Sequence, residues 1–535
     1  MDYKAALFYF ILSAVTSGGN GAPKSRKLEL RDVWNKRASE ELNKRLNLQQ
    51  NNNVAKNIVM FMGDGMGIPT VTGARIYKGQ MAGNSGEETV LSFEEFPYVG
   101  LAKTYNTDRQ VPDSAATATA IFTGVKTRFG LVGVDDRVIR GDCDSYRPEM
   151  DLKTIFFIAK EAGKSVALVT TSRLTHATPS AAYAHSPERW WEKDDKVPKA
   201  CRGRVADVAS QFVTNAKDFD VVFAGGRKYF IPNSESDPEY PEKIGGRTDG
   251  RNLIKEWEAD KAGRNLTYKY VWRKKEFDQL EAGNYDRVLG LFDYDHMNYE
   301  GDRATDKAGE PSLVEMTEYA VKQLERNPNG YFLFVEGARI DHGHHMNLGK
   351  HALNEMVMME RSAELALSRA SVDDTLFLVT GDHGHVMTVG GWASRGNPLF
   401  GIDDYQFGQD NMPYTTIMYQ NGPSGISPGT RKNLSGVDTE SFSFRQQSMV
   451  PLNVAAHGAD DVPVYAHGPM AHLFHGVYEQ NYILHAMTYA SCMDNSKKHC
   501  KERAKEAKLM TSGGATLYVT LTSHCLVLLF LSAFH

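Results

Sequence analysis

The chain has 535 residues, of which 41% are hydrophobic and 24% are charged. This ordinary globular balance allows a large buried core, and the formal net charge of -5 at pH 7 gives no support for a nucleic-acid-binding surface. Strand and helix patterns continue from Asn57 to about Ala490 without a Pro/Ser-rich linker or an internal repeat. We therefore expect one large domain with insertions.

The two ends of the chain resemble processing signals. A short apolar stretch from Ala5 to Val15 is followed by small residues up to Ala22, which predicts a secretory signal peptide over residues 1–22. At the other end, Ser512 and two glycines precede an apolar tail that lacks the basic flank of a membrane-spanning helix. We predict a GPI signal, with attachment at Ser512 and a propeptide over 513–535. A transmembrane tail or a tail of other purpose is the alternative.

Cysteine usage agrees with secretion. Of five cysteines, Cys525 lies in the tail expected to be removed, which leaves an even number for an oxidising compartment. Three pairings are possible; the short separation of Cys492 and Cys500 favours a local bond, which would pair Cys143 with Cys201. Metal ligation is the alternative, but none of these cysteines has the close spacing of a zinc-thiolate site.

Two glycosylation sequons begin at Asn265 and Asn433. They are weak signals by themselves, and secretion makes them credible. With the two end signals they predict a glycoprotein that travels the secretory pathway and is GPI-anchored at the extracellular face of the cell membrane.

Four apolar segments each end in a polar cluster, and they span residues 57–67, 166–178, 331–345 and 375–385. Each begins with a run of Val, Ile, Leu and Phe that is typical of a strand buried on both faces. Ligands of open parallel sheets sit beyond the carboxyl ends of the strands. We therefore expect an α/β fold, with a large, mostly parallel central sheet flanked by helices, and convergence of the four clusters on one site.

A candidate nucleophile precedes a predicted helix. Asp113 and Ser114 stand just before an alanine-rich stretch, residues 115–122, so Ser114 should lie at a helix N-terminus. The free amides and positive dipole end there attract an anion and favour an alkoxide. Taken alone, the pair would more simply be a helix N-cap.

Candidate metal ligands follow the later segments. Asp341 and His345 are four residues apart and would share one face of a helical turn, a usual geometry for two ligands of one ion. His342 and His344 point elsewhere and are not assigned as ligands. The other candidates are Asp64, Asp382, His383 and His457. Any one histidine is more often structural, but together these side chains could hold two zinc ions, each with an open position.

With these residues the chain resembles the animal alkaline phosphatases, because the motifs of that family occur here in the same order from about Lys56 to Cys500. The matching motifs are Asp64-Gly65, Pro112-Asp113-Ser114-Ala115, His176-Ala177-Thr178-Pro179, the run from Glu336 to His345, Asp382-His383-Gly384-His385, and His457-Gly458. The resemblance implies a homodimeric, extracellular, often GPI-anchored zinc and magnesium phosphomonoesterase with an alkaline optimum. It also implies a catalytic domain, here 23–512, with a crown insertion at about 390–448.

The resemblance assigns roles to individual residues. Ser114 would be the nucleophile and form a phosphoserine that water then hydrolyses. The implied ligands are Asp341, His345 and His457 for one zinc, Asp64, Asp382, His383 and Ser114 for the other, and Asp64, Thr178 and Glu336 for magnesium. Arg189 would grip two phosphate oxygens, oriented by Asp113, and His176 would lie near the magnesium.

A calcium site is also implied, and the chain matches it in part. Glu239 matches well, as do Phe292 through its carbonyl group and Asp293, where a shorter carboxylate replaces the usual glutamate. Glu310 is the nearest candidate for the fourth ligand. The alternative is a solvated acidic loop.

Other functions fit the residues less well. The glycines around Asp64 lack the final glycine of a dinucleotide-binding loop. Ser114 is not in the Cys/Ser-x-Pro-x-Arg context of a sulfatase, and Thr178 with Glu336 and Arg189 argues against a phosphodiesterase. A surface receptor with an idle pocket should have lost at least one ligand, and none is missing. The physiological substrate is poorly encoded, because such sites hold the phosphoryl group and little of the alcohol.

Overall fold

The computed structural model describes residues 29–426, 431–493 and 500. The predicted signal peptide, Ser512 and the predicted propeptide lie outside the described residues. The chain divides into two units, of which the first ends at Gln49 and contains helix α1 (Arg31–Leu46). Ion pairs one turn apart, such as Glu41 with Arg45 at 2.6 Å, support this helix.

The second unit begins at Gln50 and alternates strands with helices. Its helices are α2 (Ile68–Met81), α3 (Ser114–Thr123), α4 (Ile155–Glu161), α5 (Ala177–Ser180), α6 (Val208–Asn215), α7 (Leu253–Gly263), α8 (Lys274–Phe277), α9 (Leu313–Leu324), α10 (Arg339–His345), α11 (Gly349–Arg369) and α12 (Tyr482–Ala490). Its strands are β1 (Asn57–Gly63), β2 (Tyr98–Lys103), β3 (Ser165–Arg173), β4 (Val221–Gly225), β5 (Tyr268–Val271), β6 (Arg287–Leu291), β7 (Tyr331–Gly337), β8 (Thr375–Gly381), β9 (Gly384–His385), β10 (Met387–Val389), β11 (Ile417–Gly422), β12 (Ser448–Pro451), β13 (His457–Gly458), β14 (Val462–His467) and β15 (Gly476–Glu479).

Within the described chain, ten strands form one central sheet in the order β15-β2-β14-β8-β1-β7-β3-β4-β6-β5. All neighbouring pairs are parallel except those of β14, which runs antiparallel to β8 and β2. The four apolar segments of the sequence are the adjacent strands β8, β1, β7 and β3. Strands β1, β7 and β8 are buried along their whole length, which explains their continuous apolar runs. The predicted fold class is confirmed.

Each face of the sheet carries its own hydrophobic core, because successive strand side chains point to opposite faces. Ile58 belongs to the core that contains Phe156, whereas Val59 belongs to the core that contains Met356. Phe156 packs edge-on against Phe332, with ring centroids 4.9 Å apart. Truncating such a buried ring to alanine costs about 3–5 kcal/mol, so these cores fix the strand ends that carry the site.

The region of the predicted crown, about 390–448, is largely irregular but contributes strand β11, which pairs with β10 and β12. The structure contains both expected disulfides, Cys143–Cys201 and Cys492–Cys500. None of the helices in the described ranges is both long enough and apolar enough to cross a membrane.

Candidate active site

The carboxyl ends of three central strands lie level with one another. In the sheet register, the last residue of β1, Gly63, pairs with Gly337 of β7 and with Gly381 of β8. The next residues along two of these strands are Asp64 and Asp382, so both carboxylates leave the sheet at the same height. The strand register therefore brings the ends of three of the four predicted segments to one edge of the sheet.

One group of possible ligands is built on α10 and on the short paired strands β9 and β13. One atom from each of its members lies within 4.8 Å of the others, and the members are Asp341, His345, His385 and His457. The Nε2 atoms of His345 and His457 are 3.2 Å apart, and Nε2 of His345 is 3.2 Å from Oδ2 of Asp341. Asp341 and His345 do share a face of one helical turn, as their spacing predicts.

In two of these imidazoles the Nδ1 atom, on the side of the ring away from the other ligands, faces a backbone carbonyl group. Nδ1 of His345 lies 2.6 Å from the carbonyl oxygen of Ala455, and Nδ1 of His457 lies 2.8 Å from that of Pro112. A carbonyl oxygen can only accept, so both Nδ1 atoms carry the hydrogen and both Nε2 atoms present a lone pair. This is the usual support for metal-binding histidines.

His385 is the residue of this group that the sequence reasoning left without a role. Its Nε2 atom lies 2.6 Å from Oδ1 of Asp341, and its imidazole is buried. The signal was present in the sequence, because His385 ends the same Asp382-His383-Gly384-His385 motif. His385 joins this group through the antiparallel pairing of β9 with β13, which sets it opposite His457, a contact between distant segments that local spacing cannot indicate.

A second group joins the ends of β1 and β8 to the start of α3. Its members are Asp64, Asp382 and His383, which also lie within 4.8 Å of one another. Ser114 is the first residue of α3, and its Oγ atom lies 3.2 Å from Oδ1 of Asp64 and 3.1 Å from Nε2 of His383. The candidate nucleophile thus faces this group directly.

Three oxygens beside this group suit a hard cation. They are Oδ2 of Asp64, Oγ1 of Thr178 and Oε1 of Glu336, which are buried and have no hydrogen-bond partner among the described residues. The other oxygen of Glu336 accepts a hydrogen bond from Thr170 Oγ1 at 2.5 Å. Buried polar atoms are normally partnered, so these orphaned oxygens fit an oxygen-liganded ion such as magnesium.

Burial and neighbouring charge shift the pKa values of the carboxylates. Burial, and next the charges of Asp382 and Asp341, raise the pKa of Asp64 well above its usual range. Burial is also the largest cause for Asp382, whose pKa rises to about 6, and for Glu336, whose pKa rises to about 8. Burial alone would raise the pKa of Asp341, but His345 and then His385 hold it well below normal. Bound cations would relieve this crowding of negative charge.

Arg189 and Asp113 lie together at the start of α3. Nη1 of Arg189 donates to Oδ2 of Asp113 at 3.1 Å, and Nη2 lies 3.4 Å from Nε2 of His176. The other carboxylate oxygen of Asp113 accepts from the backbone N–H of Gly130 at 2.9 Å. These contacts bring the predicted phosphate-gripping arginine beside Ser114.

The residues predicted for calcium form a separate acidic cluster around the loops after β4 and β6. Glu239, Asp293 and Glu310 are joined there by Asp306, which the sequence reasoning did not single out. Oxygens of Glu239, Asp306 and Glu310 are buried with no partner in the described ranges. Burial, and next the Asp293 charge, raise the pKa of Glu310 to about 9; burial raises that of Glu239 to about 8. Phe292 is buried directly after β6.

Comparison with known proteins agrees with this arrangement. Residues 55–493 match the family model described as alkaline phosphatase. The chain is 48% identical over 486 residues to the tissue-nonspecific alkaline phosphatase of Gallus gallus, covering 90% of this chain and 93% of that protein. It is 46% identical over 494 residues to the tissue-nonspecific isozyme of Homo sapiens, covering 91% and 93%.

Solved structures show the same fold at lower identity. The alkaline phosphatase of the Antarctic bacterium TAB5 aligns with a TM-score of 0.58 at 22% identity, over 83% of this chain and all of that one. The Thermus thermophilus alkaline phosphatase aligns with a TM-score of 0.59 at 24% identity, over 86% and 97%. On the family match and the identities to the animal proteins, this chain belongs to the alkaline phosphatase family and is a phosphate monoester hydrolase.

Proposed function

We propose that this enzyme hydrolyses phosphate monoesters through a covalent phosphoserine at Ser114. The observation that carries the proposal is the position of its Oγ atom, which lies within 3.2 Å of both Asp64 and His383 at the first residue of α3. A buried serine that faces a candidate metal group from a helix N-terminus is placed for attack on phosphorus.

The metal assignments follow from the chemistry of the donors. The mixed imidazole and carboxylate groups suit two zinc ions, held by the residue sets Asp341, His345 and His457 and Asp64, Asp382 and His383. The orphaned oxygens of Asp64, Thr178 and Glu336 suit magnesium. When bound, such ions neutralise charge on the phosphoryl group and lower the pKa of coordinated oxygens.

The reaction then proceeds by two successive displacements at phosphorus, in which the side chains have separate roles. Ser114 Oγ forms a bond to phosphorus as the bond from phosphorus to the alcohol oxygen breaks, and the alcohol leaves. Water then attacks the phosphoserine, inorganic phosphate departs and Ser114 is restored. Throughout, Arg189 donates two parallel N–H groups to phosphoryl oxygens, and Asp113 holds its guanidinium in place.

We further propose a calcium ion at Glu239, Asp293, Glu310 and the carbonyl of Phe292, with Asp306 as an added ligand. Three of the four acidic side chains, Glu239, Asp306 and Glu310, have a buried oxygen with no partner in the described chain, and a bound cation would relieve the repulsion within the cluster. Calcium titration of the Asp306→Asn variant tests the added ligand; weaker calcium-dependent thermal stabilisation than in the wild type is expected, and equal stabilisation would exclude Asp306.

We also propose the processing, anchoring, assembly and location of this enzyme. We infer a mature domain over 23–512 with a crown at about 390–448, GPI attachment at Ser512, homodimers, and residence on the extracellular face of the cell membrane. Glycans would be attached at Asn265 and Asn433, and both side chains are exposed, as attachment requires.

The decisive experiment compares wild type and Ser114→Ala on a chromogenic phosphate monoester at about pH 9 to 10, before and after chelation. Activity should require Ser114, vanish on chelation, and return with zinc plus magnesium. Ser362→Ala is the matched control, because Ser362 is also a buried helical serine but bonds to the Met358 carbonyl within α11. Full activity of Ser114→Ala would exclude the phosphoserine.

A further inference from the structure

Trp190 follows Arg189 in the chain and lies in the same turn. The backbone N–H of Trp191 donates to the carbonyl of Glu188 at 3.1 Å, which closes a turn with Arg189 and Trp190 at its centre. The two central side chains differ in burial, because that of Arg189 is 10% exposed whereas Trp190 is 51% exposed. The guanidinium group therefore lies inside the candidate active site, and the indole ring lies at the protein surface beside it.

Contacts outside this turn hold it in place. The backbone N–H of Arg189 donates to the carbonyl of Gly130 at 2.9 Å. The carboxylate of Glu188 accepts from Arg140 at 2.8 and 3.0 Å and from the backbone N–H of Trp190 at 3.2 Å. A side chain is positioned more precisely when neighbouring hydrogen bonds fix the backbone that carries it. The indole ring and the guanidinium group are therefore held next to each other by a well-anchored segment.

The indole ring of Trp190 contacts the guanidinium group of Arg189. The Cζ atom of Arg189 lies over the ring, 4.9 Å from its centroid. This distance is within the roughly 6 Å over which an aromatic face attracts a guanidinium cation. Both Nη atoms are engaged elsewhere at the same time, because Nη1 donates to Asp113 at 3.1 Å and Nη2 lies 3.4 Å from Nε2 of His176. The ring contact and these polar contacts therefore act together on one cation.

We propose that Trp190 is a positioning residue for Arg189, which acts through the guanidinium group and does not touch the substrate. The inference rests on the proposed function, in which Arg189 holds the phosphoryl group. Asp113 restrains only one end of the guanidinium, and the indole ring opposes movement of the whole group away from the site. An arginine that is held in place before the phosphoryl group arrives loses less conformational freedom on binding it.

The ring contact should make a small but measurable contribution to phosphoryl binding. At exposed sites a contact between a cation and an aromatic face changes an equilibrium constant by about two- to fivefold. Replacing the ring with an aliphatic side chain should therefore raise the KM of phosphate monoesters, and the inhibition constant of inorganic phosphate, by this factor. The turnover number kcat should change less, because the contact is present in both the bound ground state and the transition state.

Kinetics of Trp190→Leu and Trp190→Phe test the proposal. Both variants and the wild type, loaded with zinc and magnesium, are compared for inhibition by inorganic phosphate and for hydrolysis of one aryl and one alkyl phosphate. Trp190→Leu should raise all three constants by the same factor, and Trp190→Phe should lie between it and the wild type. The matched control is Trp34→Leu, because Trp34 of α1 is 50% exposed and contacts Arg37 at 5.0 Å. This control should leave the three constants unchanged.

Three results would overturn the proposal. One is a fall in kcat of Trp190→Leu at unchanged KM, which would indicate a merely structural role. Another is a rise in KM for the aryl phosphate alone, which would show that the ring contacts the alcohol part of the substrate. The third is identical constants for Trp190→Phe and Trp190→Leu, which would show that the aromatic face has no part in the effect.

A double-mutant cycle with Arg189→Ala separates this inference from the function on which it rests. With the guanidinium group removed, Trp190→Leu should cause no further change in the inhibition constant of inorganic phosphate. An equal effect of Trp190→Leu in both backgrounds would overturn the coupling between the two residues. If Arg189→Ala itself leaves the inhibition constant unchanged, the phosphoryl-binding role of Arg189 in the proposed function fails, and this inference falls with it.

Discussion

Asp113 precedes the proposed nucleophile, yet its carboxylate bonds to Arg189 and not to its own helix. Oδ2 accepts from Arg189 Nη1 at 3.1 Å, and Oδ1 accepts from the backbone of Gly130 at 2.9 Å and from Asn106 at 3.2 Å. No described N–H of α3 is capped by this side chain. Asp113 does occupy the N-cap position of α3, but its side chain caps no N–H of the helix, so its carboxylate is available to position the guanidinium.

The first prediction is that Asp113→Asn raises KM about tenfold while kcat changes little. A charge-assisted hydrogen bond is worth about 1.5–3 kcal/mol, and the new amide group cannot accept from both Arg189 and Gly130. Michaelis kinetics and inhibition by inorganic phosphate measure the effect. Asp135→Asn is the control, because Asp135 pairs with Arg137 at 2.6 Å outside the site. A fall in kcat at unchanged KM would contradict a positioning role.

Chelation of the metals should destabilise the protein. The Asp64→Asn variant should be less stable than the wild type when metals are bound and more stable than the wild type when they are removed. Asp64 is fully buried, and the charges of Asp382, Asp341 and Glu336 oppose its ionisation. Leaving buried charge uncompensated costs on the order of 3–5 kcal/mol. We expect metal-free Asp64→Asn to melt above the metal-free wild type, but the metal-loaded variant to melt below its wild type.

Calorimetric melting of both proteins with and without metals makes this comparison. Asp207→Asn is the control, since Asp207 is paired with buried Arg247 at 2.9 Å, away from the site, and its loss should destabilise both forms alike. If metal-free Asp64→Asn melts below metal-free wild type, repulsion among the carboxylates is not the source of the instability.

The parts of the site that follow regular periodicity could be predicted from the sequence. Continuous apolar runs placed Asp64 and Asp382 at strand ends, and helical spacing paired Asp341 with His345. Asp306 lies in the loop after β6, where no period relates a residue to its neighbours in space. Only the tertiary packing of that loop brings Asp306 to the acidic cluster.

Arg189 shows a different limit of sequence reasoning. The chain has 61 lysines and arginines together, and no spacing marks Arg189 as the one that meets Asp113. Its position follows from the hydrogen bond of its backbone N–H to the carbonyl of Gly130, 59 residues earlier. Such a contact between loops can be identified from a resemblance but not from a local pattern.

His385→Gln should weaken zinc retention and spare turnover at saturating zinc. His385 Nε2 contacts Asp341 Oδ1 at 2.6 Å, so its loss frees that carboxylate to rotate. Removing a group that orients a ligand typically lowers metal affinity about 10–100-fold. The chelator concentration that halves activity, and kcat in excess zinc, measure the two effects. Unchanged resistance to chelation would show that His385 does not hold Asp341 for the metal.

Glu355 should make stability depend on pH. It lies buried in α11, where burial, the largest cause, raises its pKa to about 7 from the ordinary 4.5. Between these values the unfolded chain has lost the proton and the folded chain retains it. The unfolded state therefore binds fewer protons, and the free energy of unfolding falls as pH rises through this window.

Glu355→Gln should remove this dependence, because the amide oxygen can still accept the backbone N–H of Glu300, now 2.5 Å from the carboxylate. We expect the metal-loaded variant to exceed the wild type by about 1–3 kcal/mol at pH 8, with the difference vanishing near pH 4.5. Urea unfolding at both pH values measures it. Glu360→Gln is the control, since Glu360 is ion-paired with Lys78 at 2.7 Å and its neutralisation should destabilise the fold. An equal difference between variant and wild type at both pH values would show that Glu355 does not retain its proton in the folded state.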